Sequence, residues 1–197
     1  ENDERKTVEI PMAYIAEKSN TEGFKAQKRY WFRITDYGKN ICLDKDYTDE
    51  VVTIENVELS KVLQYVLQEQ NIEVVLDEET GYATLSQMDA NLVKELNFGY
   101  IGFADFTSLK GLEHFKNLKI LNIENRALQD TLELSAFTRL EELYVGGNAS
   151  VTEIVFPETG TLRLLHIAHM GHWVTTQKIK ELGSIFPNLW SLDVSSN

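Results

Sequence analysis

The chain of 197 residues is 43% hydrophobic and 25% charged, which excludes wholesale disorder and leaves room for one or two domains. Its net charge is −12, and the absence of any basic stripe argues against nucleic acid and against charge-driven docking on anionic lipid. No apolar run approaches the ~20 residues of a membrane helix, and the single Cys42 excludes an intrachain disulfide framework or a cysteine zinc cluster.

Most of the acidity lies early: residues 1–91 hold 19 acids and 10 bases, residues 92–197 hold 12 and 9. The opening ENDERK has neither an initiator Met nor a signal peptide, as expected if a targeting segment has been removed. Residues 1–51 read as a leader and a small β-rich or irregular segment. VEIPMAYIAE and RYWFRITDYGKNICL are expected to be two strands, the second with Tyr30, Phe32 and Ile34 on one face, separated by the polar loop EKSNTEGFKAQK.

Residues 52–91 read as a helical cap. In VTIENVELSKVLQYVLQEQ, Leu59, Leu63, Val66 and Leu67 fall on one helical face, and Asn56 is placed to cap it. DEETGYA is a polar turn around Gly81. Thr84 and Gln87 have the spacing of a capping box for a second helix. Read from Asp77 as a calcium loop, the stretch places Gly one position early and Met88 where a bidentate Glu is required, so the turn reading stands.

Residues 92–197 carry an internal repeat. VKELNFGYI, LKILNIENR, LEELYVGGN, LRLLHIAHM and LWSLDVSSN begin at Val93, Leu118, Leu140, Leu162 and Leu189, at intervals of 25, 22, 22 and 27 residues. Positions four and six alternate as in a strand and share one face, and position one approaches from the same side. Asn148 and Asn197 at position nine suit the bend that follows, since a side-chain amide can replace backbone partners there. Arg126, Met170 and Ile101 occupy the same slot in other copies, so this ladder is expected to be interrupted.

The spacing resembles the leucine-rich repeat. The order of signals from Val52 to about Leu128, above all SLKGLEHFKNLKILNIEN (108–125), is similar to the cap and first repeats of bacterial internalin-like proteins. The departures are GYIGFADFTS, longer than the usual turn, and the lack of a visible C-terminal cap. The resemblance implies an α/β leucine-rich-repeat solenoid of about five repeats with a parallel sheet and a helical N-terminal cap. It also implies an exported bacterial protein, extracellular or at the cell surface, lipid-anchored by analogy, that binds a protein or glycan through its concave face.

Alternation places positions three, five and seven on that concave face. The residues expected to carry binding are Asn97, Asn122, Glu124, Tyr144, His166, Trp190 and Asp193, with Tyr144, His166, Trp190 and Ile120 as an aromatic and apolar centre. In HIAHMGHW, His166, His169 and His172 are three apart, a zinc-like spacing. Strand and post-turn slots point apart, however, and no acid lies within the motif to orient an imidazole, so a structural reading is preferred. No G-x-S-x-G, phosphate loop or H-E-x-x-H occurs, and adjacent Glu141 and Glu142 cannot face each other across a substrate. No enzyme activity, cofactor, metal or membrane insertion is expected. The alternative to binding is a surface spacer without a specific ligand. Leu189, Leu192 and Val194 are expected at an open end, covered by further chain or by a second copy end to end.

Overall fold

The computed structural model describes residues 50–102 and 105–197, with the backbone of 32–35 and 40–43. The chain divides into two compact units, 1–48 and 49–197. In the first, β1 (Phe32–Thr35) and β2 (Asn40–Leu43) form an antiparallel pair in which Phe32 opposes Leu43. The second expected strand is thus a hairpin in itself, while VEIPMAYIAE and the polar loop lie outside the described residues.

The second unit opens with β3 (Val51–Ile54), helix α1 (Val57–Glu69), β4 (Val75–Leu76), β5 (Ala83–Ser86) and helix α2 (Gln87–Leu92). Asn56 caps α1 by accepting from Leu59 N at 3.0 Å. Leu59, Leu63, Val66 and Leu67 are buried, as the helical period requires. The helix packs on a three-stranded antiparallel sheet ordered β3-β5-β4, so residues 52–91 are mixed rather than helical. Buried Ser60 joins the two layers, donating to Ile54 O at 2.9 Å and accepting from Ala83 N at 2.8 Å. Asp77 holds the β4–β5 turn by accepting from Thr80 N, Thr80 Oγ1 and Glu79 N, and the Thr80 N–H is the main reason its carboxyl is held below the usual range. The capping box is Ser86 with Asp89, not Thr84 with Gln87. Ser86 Oγ accepts from Asp89 N at 3.0 Å and donates to Asp89 Oδ2 at 2.8 Å. Thr84 is instead consumed by β5, whose pairing with β3 extends to Ser86.

Strands and return segments then alternate: β6 (Glu95–Asn97), a single 3-10 turn (Leu112–His114), β7 (Ile120–Asn122), β8 (Gln129–Glu133), β9 (Glu142–Tyr144), β10 (Ser150–Val155), β11 (Leu164–His166), helix α3 (Thr176–Ile185) and β12 (Ser191–Asp193). The product is a mixed α/β stack of coils. One parallel five-stranded sheet, ordered β12-β11-β9-β7-β6, forms one wall, with Leu96, Leu121, Leu143, Leu165 and Leu192 in register. A parallel pair, β8 and β10, belongs to the return segments.

Leu121, Ile123, Leu143, Val145, Leu165 and Ile167 are fully buried between these walls. Leu192 is 37% exposed and Val194 only partly buried, because β12 is the edge strand and has no coil beyond it among the described residues. In α3, Leu182 is buried while Ile179 and Ile185 are exposed; Phe186, just past the helix, is buried and packs edge-on against Phe156 at 5.2 Å.

Position nine works as read. Asn148 accepts from Arg126 N and Leu128 N, and its amide donates to Ile123 O and Val145 O, bridging two coils. Asn197 does the same for Met170 N, Ile167 O and Val194 O. The ladder is less interrupted than expected, because buried Arg126 replaces the amide with its guanidinium, donating to Ile101 O at 2.7 Å and Glu124 O at 3.1 Å. Position eight is left-handed in four coils, at Asn125, Gly147, His169 and Ser196. That conformation turns each chain away from its strand.

Candidate functional site

Positions three and five of the five strands lie side by side, so Glu95, Ile120 and Glu142 form one row and Asn97, Asn122, Tyr144, His166 and Asp193 the next. All of these but Asp193, together with Tyr100 and Glu124, line a groove of about 390 Å³ across β6, β7, β9 and β11. Three of the row-five residues also fix their own backbone. Asn97, Asn122 and Asp193 accept from the N–H two residues on, at 3.2, 3.1 and 2.8 Å, which starts the bend at the strand end.

Negative charge gathers in the groove. Glu95, Glu124 and Glu142 line it, and no lysine or arginine does. Tyr144 donates to Glu142 Oε2 at 2.9 Å, and its ring centroid lies 6.2 Å from that of His166. Burial raises the phenol above its ordinary range, reinforced by the hydrogen bond to Glu142 and by the charges of Glu142, Glu124 and Glu95, so Tyr144 remains a neutral donor.

His166 is flanked by acids after all, although none is near it in sequence. Nε2 lies 2.9 Å from Asp193 Oδ2, and Nδ1 meets Glu124 Oε1 in a contact that is an ion-pair approach rather than an aligned hydrogen bond. Glu124 reaches across an entire coil because that coil carries Gly146 at position seven. A Cβ on Gly146 would lie 3.3 Å from both Glu124 Oε1 and His166 Nδ1 and 2.8 Å from Ala168 O. Asp193 is held below the ordinary carboxylate range first by the Ser195 backbone N–H, with His166 adding a smaller effect. The three histidines do not converge: His169 occupies the left-handed turn and His172 is exposed beyond it. Among the described residues no group of three ligands is set to hold a metal.

Six of the seven residues expected to bind therefore belong to one surface, with Asp193 at its β12 end. Trp190 does not belong to it; it is 75% exposed and lines no part of the groove. The cause is a repeated irregularity. Lys119 N and Ile120 N share Lys94 O, Glu141 N and Glu142 N share Lys119 O, Arg163 N and Leu164 N share Glu141 O, and Trp190 N and Ser191 N share Arg163 O. Two N–H groups sharing one carbonyl mark the entry to each strand, and position two lies just before the registered residues, outside the rows of the concave face. Position two accordingly forms its own stripe, where Lys119 pairs with Glu141 at 2.6 Å.

Tyr100 was not anticipated. It is 91% exposed at position eight of the first nonamer, where the other coils turn left-handed and this one does not. The long GYIGFADFTS turn was its only signal. A second hollow, about 630 Å³, lies away from this face between Thr107–Lys110 and β8. It is larger and has polar side chains such as Thr107, Gln129 and Asp130 along it, but no tyrosine or histidine lines it.

No protein-family model and no curated protein matches this chain.

Proposed function

We propose that residues 49–197 form a leucine-rich-repeat, internalin-like binding module of an exported bacterial protein, extracellular or held at the cell surface by a lipid anchor. It recognises a protein or glycan on the concave strand face and performs no chemistry. The observation that carries this reading is the groove itself. Tyr100, Tyr144 and Ile120 supply stacking surface, while Asn97, Asn122 and Glu142 supply hydrogen-bonding groups beside it. Amphipathic aromatics among polar neighbours are the usual make-up of a binding hot spot. The repeat spacing and the 108–125 match support the family, and the helix-on-sheet unit before β6 fits its cap: Gln70 donates to Glu95 O at 3.0 Å and covers the first strand.

An array of glycans and bacterial and host surface proteins tests the reading. For any ligand it identifies, Tyr144→Ala should weaken binding about tenfold or more, the scale of a hot-spot residue. Trp190→Ala should leave affinity unchanged. The reverse pattern would move the site to the position-two stripe.

A further inference from the structure

Two asparagine amides in the concave groove are only half used. Asn97 and Asn122 each accept a backbone N–H through Oδ1, which fixes the orientation of the amide and leaves Nδ2 as the donor. Among the described residues neither Nδ2 meets an acceptor. Asn122 is only 7% exposed and lines the groove, packed so closely on Gly99 that a Cβ there would lie 2.7 Å from both Oδ1 and Nδ2. An enclosed N–H donor gains free energy when an acceptor enters beside it. Carboxylates flank this donor. Register sets Glu95 and Glu142 on either side of Ile120, two strand spacings or roughly 10 Å apart. Glu95 forms no ion pair among the described residues, and Glu142 gives Oε2 to Tyr144 and keeps Oε1. Glu124 is already beside His166, and no lysine or arginine lines the groove to answer the other two charges.

The groove also runs on past the sheet. A hollow of about 680 Å³ between α1 and β6 shares Glu95, Asn97 and Tyr100 with it, and adds Glu69 and a single base, Lys94. An elongated trough with amide donors and unanswered carboxylates matches an extended peptide, whose carbonyls accept and whose basic side chain brings the cation. We infer, as a deepening that rests on the concave-face reading, that the occupant is an extended segment of a partner protein carrying an arginine or lysine. Its cationic head sits between Glu95 and Glu142, and a backbone carbonyl accepts from Asn122 Nδ2. Ile120 supports the aliphatic stem of that side chain, and the rings of Tyr100 and Tyr144 add faces that attract a cation. The net charge of −12 draws a basic partner from a distance.

The test uses pools of acetylated, amidated octapeptides, random except at one central position, over the immobilised full chain. Pools with central arginine or lysine should be retained about tenfold more strongly than a pool with neutral citrulline there. Glu95→Gln with Glu142→Gln keeps the shape of both side chains and should erase that preference. If the double variant melts early, Glu95→Lys at its exposed position gives a second reading, and should repel the arginine pool below the citrulline pool. Equal retention of all pools, retention of none, a preference undiminished in these variants, or stronger retention of a glucosamine tetramer would each overturn the basic peptide. Tyr144→Ala tells the two readings apart. Charge-blind binding that is lost in this variant removes the basic peptide and keeps the concave site, whereas binding that survives it removes the site as well.

Discussion

Asn148 shows how one side chain can carry a turn between coils. It is 1% exposed, accepts two backbone N–H groups and donates to two carbonyls within 3.0 Å. Asn148→Ala would leave these groups without partners in a space closed to water, at about 1–3 kcal/mol for each group that cannot find another. We expect a loss of about 3 kcal/mol or more by urea unfolding, against less than about 0.5 kcal/mol for an exposed substitution such as Glu158→Ala. A loss no larger than the surface control would show that the amide is dispensable. Residue-scale chemistry of this kind was legible from the spacing, because position nine repeats and amides have few other reasons to sit there. Arg126 was not. A guanidinium at an asparagine position looks like a gap until its reach to Ile101 O is seen.

At the scale of the element, register decides what each leucine contributes. Leu143 occupies the middle strand of the parallel sheet and is fully buried, while Leu192 holds the equivalent place on the edge strand and is 37% exposed. Leu143→Ala should cost about 2–5 kcal/mol, since both transfer energy and the unfilled cavity count against it. Leu192→Ala should cost under about 1 kcal/mol, because water already reaches the site. Equal losses in urea melts of the two variants would place the coils in a different order. The same strands show the limit of a period-two reading. Position two lies before the registered residues of each strand, where two N–H groups share one carbonyl, so Trp190 takes no part in the alternation.

For the whole molecule, the two ends of the five-stranded sheet are treated differently. Gln70, just past α1, bonds the Glu95 carbonyl of β6, whereas among the described residues no strand pairs beyond β12, where Trp190 and Leu192 are exposed. An unpaired strand edge beside apolar side chains invites a further strand. The end-to-end homodimer raised by the repeat pattern is proposed on that exposure. Sedimentation over a range of concentrations should then show reversible association, abolished by Leu192→Lys with Trp190→Lys. A monomer at every concentration would remove it.

The sequence by itself determined the strands and their inward leucines, the asparagine turns and the N-cap of α1, because each depends on residues within a few positions of one another and on periods that recur. It also placed Asn97, Asn122, Glu124, Tyr144 and His166 on one face, since a constant repeat length brings equal positions together. Only the tertiary structure decided which of those residues touch. Glu124 meets His166 across a coil of 22 residues because a glycine stands between them, and Asp193 meets it from 27 residues away. Contacts between coils depend on side-chain length and on the small residue left in the gap, neither of which the hydrophobic period records.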